Sequence, residues 1–132
     1  MKRCKDCPPG SRRRAAPHPG PRCATHHRAR LAEVSEESHA RHIGRLYGIT
    51  RADYERLRQV QGGLCYICRR ATGKQKRLPV DHNHATKEVR GLLCGPCNKG
   101  VLGHLRDDIA ALQRAIDYLT NPPAREVLRR TS

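Results

Sequence analysis

Two Cys-x-x-Cys pairs enclose a short Asp-His-Asn-His segment in the middle of this chain. The pairs are Cys65/Cys68 and Cys94/Cys97, and the spacing within each pair lets two thiolates bind one metal ion. Four thiolates complete the tetrahedral coordination of zinc, so such a site is structural. A redox Cys-x-x-Cys is the competing interpretation, but it needs a single motif in a βαβ context. The spacing therefore predicts a zinc ion that joins two distant stretches of chain.

The residues between and beside these pairs are suited to phosphodiester hydrolysis. Asp81 and His82 lie between the pairs, and Asn98 directly follows the last cysteine. A neutral imidazole can accept a proton from water, while a carboxylate and an amide oxygen can hold a divalent cation such as Mg²⁺. Neighbouring residues of a regular strand point to opposite faces, so Asp81 and His82 face one phosphate only if the strand bends or ends there. The alternative is that Asp81, Asn83 and Asn98 are turn and cap residues, and that His82 or His84 only hydrogen-bonds in the loop.

The charge of the chain favours a polyanionic partner. Its 132 residues include 27 Lys and Arg against 12 Asp and Glu, for a net charge of +15. The basic residues occur in nearly every segment, which favours nucleic acid over a polybasic membrane patch or a merely solvated surface. No apolar stretch approaches the roughly 20 residues of a membrane span. Charge alone does not separate DNA from RNA, or binding from cleavage.

The apolar inventory is too small for an ordinary core. The chain has no Phe, no Trp and one Met, but it has seven cysteines. Small domains with few apolar residues commonly depend on metals or disulfides. The odd cysteine count and the lack of an apolar signal segment argue against a secreted disulfide scaffold. We therefore expect reduced, zinc-bound cysteines in a cytoplasmic protein.

The N-terminal segment carries a second candidate zinc site. Cys4-x-x-Cys7 and Cys23-x-x-His26 have the ligand types and pair spacing of a small zinc knuckle, and His27 is an alternative fourth ligand. The other interpretation is a disordered basic tail, because prolines and glycines at this density prevent regular structure.

Periodicity and capping residues predict two helices before the central motif and two after it. We expect a polar helix over 28–47 that stops at Gly48, and a second helix over 51–61 that Thr50 caps. Short strands are expected at 78–82 and 89–94. Helical periodicity resumes after Cys94, and an apolar stripe over 109–119 predicts a last helix capped by Asp107 or Asp108. The predicted domains are a zinc knuckle at 1–27, a helical connector at 28–61, a catalytic core at 62–120 and a tail at 121–132.

The central motif resembles a known family. Gly63-Leu64-Cys65-x-x-Cys68, Val80-Asp81-His82-Asn83-His84 and Val89-Arg90-Gly91-Leu92-Leu93-Cys94-x-x-Cys97-Asn98 are similar to the phage recombination endonuclease VII family. These are zinc-containing HNH, or His-Me finger (ββα-metal), nucleases, and the resemblance covers about residues 50–105. It implies a small α+β fold, with a ββα-metal core and structural zinc, flanked by helices and the N-terminal knuckle.

The resemblance also implies roles for individual residues. Asp81 and Asn98 would bind one Mg²⁺ or Mn²⁺ ion, His82 would activate the attacking water, and the four central cysteines would hold zinc. His84 matches a further active-site histidine, for which we expect phosphate contact or support of the metal site. A carboxylate that some relatives carry shortly after the Asn98 position is replaced by Gly100 and Val101.

The leading hypothesis is a metal-dependent DNA endonuclease that makes nicks, or double-strand breaks if it forms a homodimer. Founding members of the family resolve branched DNA as interlocked dimers through long helices after the core, whereas little follows Tyr118 here. The alternatives are a non-catalytic zinc-bound DNA-binding module and an RNA-cleaving nuclease. Phosphate contacts position a nucleic acid without reading its bases. The residues expected to make them are Arg12, Arg13, Arg14, Arg90 and Lys99.

Overall fold

The structure is a computed structural model that describes residues 2–10 and 14–129. The chain divides into two compact units, Met1–Tyr54 and Glu55–Ser132. The helices are α1 (Ala24–Tyr47), α2 (Arg51–Val60), a π-helix (Pro96–Gly103), α3 (Ile109–Thr120) and α4 (Ala124–Val127), and the strands are β1 (Val80–His82) and β2 (Val89–Leu92). These elements make a small α+β protein.

The N-terminal unit begins with a loop that folds back on itself before α1. Arg3 bridges Ala15 and His18 bridges Arg22 in antiparallel pairs. Helix α1 then begins at Ala24, with Cys23 at its N-cap in an extended conformation. The helix therefore starts four residues before the expected Arg28, because residues 23–27 already form its first turn.

The connection between α1 and α2 agrees with the sequence prediction. Gly48 ends α1 with φ 67°, a left-handed conformation that glycine adopts without steric cost, and its N–H donates to the Gly44 carbonyl. The Asp53 N–H donates to Thr50 Oγ1 at 3.1 Å, and the Thr50 N–H donates to Asp53 Oδ2 at 2.9 Å. This reciprocal capping fixes the start of α2.

The hairpin of the C-terminal unit contains a bulge. Strands β1 and β2 are antiparallel, with Asp81 opposite Gly91 and His82 opposite Val89, so Arg90 is the extra residue on β2. A bulge of this kind bends a strand and changes the direction of its side chains. The ladder is shorter than expected because Pro79 has no N–H to donate, although its carbonyl accepts from Leu93 N at 3.0 Å.

The helix that begins within the second cysteine pair, at Pro96, is wound more widely than an α-helix. The His104 N–H donates to the Lys99 carbonyl at 3.1 Å, which is an i to i−5 bond of the π type. Gly103 suits this winding, since a Cβ there would lie 3.3 Å from the Asn98 carbonyl oxygen. The sequence pattern predicted a helix here but not its π character.

Helix α3 is capped by Asp108, whose side chain accepts from Ala110 N. Its apolar stripe remains largely exposed: the exposed fractions of Ile109, Ile116 and Leu119 are 82%, 56% and 79%. After Asn121-Pro122-Pro123 the chain forms the short helix α4, where the sequence predicted only an irregular tail. Among residues 2–10 and 14–129, each helix is too short or too polar to cross a membrane.

Gln61, just after α2, binds the outer edge of β2. Its Nε2 donates to the Leu92 carbonyl at 2.8 Å and to the Leu64 carbonyl at 2.9 Å, and its Oε1 accepts from the Leu92 N–H at 2.8 Å. Leu92 is fully buried, so water cannot replace these bonds. Gly91 makes room for the amide, because a Cβ there would lie 3.0 Å from Gln61 Oε1.

We predict that Gln61→Ala lowers the free energy of unfolding by about 2 kcal/mol, because it leaves the buried Leu92 N–H without a partner. Urea denaturation of the zinc-loaded protein measures this change. Gln59→Ala, on the exposed side of α2, is the matched control and should change stability by less than about 0.5 kcal/mol. Equal stability of the two variants would contradict the role assigned to Gln61.

Candidate metal centres and catalytic site

The four central cysteines converge on one point. The Sγ atoms of Cys65, Cys68, Cys94 and Cys97 all lie within 4.8 Å of one another, and those of Cys68 and Cys94 are 3.8 Å apart. A tetrahedron with zinc–sulfur bonds of about 2.3 Å has edges of about 3.8 Å, whereas a disulfide bond is only about 2.05 Å long. The arrangement therefore has the dimensions of a zinc site.

Backbone turns place these thiols and set their pKa values. The Cys65 N–H donates to the Ala71 carbonyl, and the Arg69 N–H donates to the Cys65 carbonyl. These two bonds close the turn that carries Cys65 and Cys68. Hydrogen bonds from the backbone of Ala71 and Arg70 lower the pKa of Cys68 to about 6. Burial raises the pKa of Cys97 to about 12, so this thiol needs a cation beside it to ionise at neutral pH.

The N-terminal unit brings together a second set of four ligands. His26 Nδ1 lies 3.3 Å from Cys4 Sγ, 3.7 Å from Cys7 Sγ and 3.3 Å from Cys23 Sγ. These separations are close to the edge of about 3.6 Å expected for nitrogen and sulfur ligands on one zinc ion. The ring of His27 instead stacks on His18, with centroids 4.4 Å apart. The geometry therefore favours Nδ1 of His26, and not a ring nitrogen of His27, as the fourth ligand atom.

Asp81 is buried beside an arginine. Its exposed fraction is 4%, and Arg90 donates from Nε to Oδ2 at 2.7 Å and from an Nη to Oδ1 at 3.0 Å. The same guanidinium contacts the carboxylate of Asp107 at 3.3 Å. The hydrogen bond to Asp81 is the main reason that the pKa of Arg90 is raised. Arg90, expected to contact nucleic acid, is thus held by two carboxylates.

The two histidines of the motif lie side by side. The ring centroids of His82 and His84 are 4.6 Å apart, with an angle of 56° between the planes. His82 is partly buried and His84 is exposed. Between them, the Asn83 side chain accepts from the N–H groups of Ala85 and Thr86, so Asn83 is a turn residue. Strand β1 both ends at His82 and shifts register there, which is the condition that the sequence argument set.

Asn98 and the expected DNA-contacting residues have different surroundings. Asn98 is partly buried in the π-helix, and its N–H donates to the Cys94 carbonyl at 2.9 Å, so the cysteine cluster fixes its backbone. Lys99 is exposed. Arg14 is exposed and donates to Thr25 Oγ1 at 3.2 Å. Arg12 and Arg13 lie outside the described residues.

An open groove lies next to the motif. It contains two arginines and the exposed His84, which are groups that attract phosphate. Its lining residues are Asn83, His84, Ala85, Arg90, Leu102, Arg106, Asp107, Ile109 and Leu112. The groove shares Arg90 with the pocket that contains Asp81.

Sequence reasoning missed the roles of two residues in this region. The sequence pattern predicts Asp107 only as a possible helix cap, whereas Asp108 makes that cap and Asp107 binds Arg90. Two adjacent aspartates before one helix were a usable signal, since a helix needs only one N-cap. No feature of the sequence indicates the pairing of Gln61 with Leu92, because the two residues are 31 positions apart.

Residues 40–121 match the sequence model of the family described as recombination endonuclease VII. The chain belongs to the recombination endonuclease VII family. It is 55% identical over 129 residues to the Gene 59 protein of Mycobacterium phage D29 and 53% identical to that of Mycobacterium phage L5; the alignments cover 96% of this chain and 78% and 79% of those proteins. No solved structure matches the chain.

Family membership confirms the resemblance drawn from the motif residues and indicates a nuclease that acts on DNA. The match includes the hairpin, the four central cysteines and Asn98. The N-terminal ligand set, from Cys4 to His26, lies before the matched segment. It is therefore a feature of this chain that the family description does not account for.

All seven cysteines belong to one of the two ligand sets, with His26 as the eighth ligand. We predict about two zinc ions per chain, and about one for His26→Ala, because three thiolates alone hold zinc less tightly. Mass spectrometry of metal content after dialysis measures both values. His27→Ala is the matched control and should keep two, while equal loss from both variants would contradict the assignment.

Proposed function

We propose that this protein is a metal-dependent DNA endonuclease of the HNH type. The observation that carries the proposal is a buried carboxylate, Asp81, next to His82 at a bulged strand end, in a chain that belongs to an endonuclease family. In this proposal Asp81 and Asn98 hold one Mg²⁺ or Mn²⁺ ion, and His82 is the general base.

The donor set is compatible with such an ion. A carboxylate oxygen and an amide oxygen are hard ligands that suit Mg²⁺, which completes its coordination with water and substrate oxygens. The ion would stabilise the negative charge that develops on the phosphate and on the leaving oxygen. A structural zinc at the cysteines has a separate role, because four thiolates leave it no open position.

The protein side chains would carry out the remaining steps. His82 would accept a proton from the water that attacks phosphorus, as the new P–O bond forms and the bond to the leaving deoxyribose oxygen breaks. His84, exposed beside it, would contact the phosphate. Lys99 and the arginines at 12–14 would bind neighbouring phosphates and increase the affinity without sequence selectivity.

We further propose that β1, β2 and the π-helix correspond to the ββα-metal core of the His-Me finger nucleases. The core would occupy residues 62–120, with a zinc knuckle at 1–27, a helical connector at 28–61 and a tail at 121–132. Zinc would occupy both cysteine-rich sets, since their atoms fit its coordination distances. The setting would be the cytoplasm of a bacterium infected by phage, as the similarity to mycobacteriophage proteins suggests.

We predict that the zinc-loaded protein nicks supercoiled plasmid DNA when Mg²⁺ or Mn²⁺ is present. Asp81→Asn, His82→Ala and Asn98→Ala should each lower the rate by about 100-fold or more, because each removes a metal ligand or the base. Gel-based kinetics measure the rates, with His104→Ala, an exposed histidine at the end of the π-helix, as the control.

Parallel reactions and binding assays separate the alternatives. Retained salt-sensitive DNA binding by the inactive variants would show that only chemistry was lost. Absence of cleavage by the wild type with either metal would favour a non-catalytic DNA-binding module. Faster cleavage of RNA than of duplex or branched DNA would identify an RNA-cleaving nuclease instead.

The exposed stripe on α3 supports the proposal of a homodimer, in which two nicks combine into a double-strand break. Exposed apolar side chains that lie together on one helix face commonly mark protein interfaces. We predict that Ile116→Glu shifts a dimer to monomer in analytical ultracentrifugation, while Arg114→Glu, on the polar side of the same helix, does not. A wild-type protein that is monomeric at all concentrations would contradict the homodimer.

A further inference from the structure

The two carboxylates that bind Arg90 differ in their distance from the guanidinium and in their exposure to solvent. Both oxygens of Asp81 accept from the guanidinium at 2.7 and 3.0 Å, and the Asp81 side chain is 5% exposed. The contacts to Asp107 are longer, at 3.3 Å, and its side chain is 33% exposed. Arg90 therefore has a close buried partner and a looser partner nearer to solvent.

The close pairing conflicts with metal binding at Asp81. A guanidinium that bonds to both oxygens of a carboxylate occupies one of the two lone-pair positions of each oxygen, so a divalent cation has fewer positions from which to bind. Two cations at one buried carboxylate would also repel each other strongly in a site with little water. Binding of a divalent cation is thus favoured when Arg90 releases at least one oxygen of Asp81.

Asp107 is held where it can accept the released arginine. Arg106 and Asp107 have φ values of 54° and 57°, a left-handed conformation that non-glycine residues adopt at a cost. Asp108, not Asp107, caps α3, so the start of the helix does not require the Asp107 side chain. The side chain of Asp107 contacts Arg90 instead.

We propose that Asp107 is a positioning residue that binds Arg90 when Asp81 turns to the divalent cation. The proposal rests on the proposed function, because it takes Asp81 as a ligand of the catalytic metal. In this proposal the left-handed backbone at 106–107 holds Asp107 beside Arg90, and Asp107 is the carboxylate that retains the arginine. The proposal also accounts for a basic residue beside a site that must accept a cation.

The test is calorimetric titration of the zinc-loaded, full-length protein with Mn²⁺, which binds oxygen ligands and leaves thiolate-bound zinc in place. Asp107→Asn preserves the left-handed conformation, which asparagine tolerates. We expect it to weaken Mn²⁺ binding roughly tenfold, a typical coupling between two sites, because Arg90 then has only Asp81 as a carboxylate partner. Asp117→Asn removes an equal charge from α3 without contacting Arg90 and should leave the affinity unchanged.

A second variant, at Arg90, tests whether the effect of Asp107 on Mn²⁺ binding acts through the arginine. Arg90→Gln should strengthen Mn²⁺ binding, and in the double variant with Asp107→Asn the effect of Asp107→Asn should disappear, because there is no longer an arginine to hold. The Mn²⁺-induced rise in melting temperature gives an independent measure if one variant is too unstable for calorimetry. Circular dichroism and zinc content verify that each variant is folded.

Different results overturn different claims. Wild-type affinity in Asp107→Asn, together with loss of Mn²⁺ binding in Asp81→Asn, would reject the exchange of partners and leave the proposed function intact. Unchanged Mn²⁺ binding in Asp81→Asn would reject Asp81 as a ligand, and with it both proposals. Weaker binding in Arg90→Gln would also reject the exchange, because Arg90 would then support the metal site instead of competing with the cation.

Discussion

Four potential metal ligands converge in each unit: four sulfur atoms in the C-terminal unit, and three sulfur atoms with one histidine nitrogen in the N-terminal unit. This convergence is the constraint on which the rest of this small protein depends. Five of the eleven buried apolar residues in the described part of the chain are cysteines, so apolar packing alone supplies a thin core. Metal binding at such sites contributes folding free energy directly. In the C-terminal unit a bound metal would also join the loop around Cys65 to the start of the π-helix, and the residue after Cys97 is Asn98. The elements that hold the fold together therefore also position a proposed catalytic residue.

The second determinant is the buried ion pair between Asp81 and Arg90. Breaking such a pair by removing one partner typically costs about 3–5 kcal/mol, because a charge remains buried. The bulge at Arg90 brings the arginine onto the neighbouring aspartate, and Asp107 gives it a second carboxylate. The carboxylate of Asp81, a proposed metal ligand, is in this way buried without being left unpaired.

Local signals in the sequence predicted much of the fold. Gly48, Thr50 with Asp53, and the adjacent aspartates at 107 and 108 marked helix ends that the structure confirms, because capping depends on residues only a few positions apart. The π winding after Cys94 was not predictable in this way, since the same apolar spacing fits an α-helix. The candidate site followed from motif residues, but the pairing of Arg90 with Asp81 required the register of two strands.

The sequence by itself determined the four central cysteine ligands, several helix ends and the family, because these depend on residue types at short, fixed spacings. It left open which histidine joins Cys4, Cys7 and Cys23, and it set a condition on β1 without deciding whether the strand meets it. Tertiary structure decided both: His27 stacks on His18 while His26 faces the thiols, and the strand ends in a bulge. Such outcomes depend on contacts between residues distant in the chain, which spacing along the sequence cannot specify.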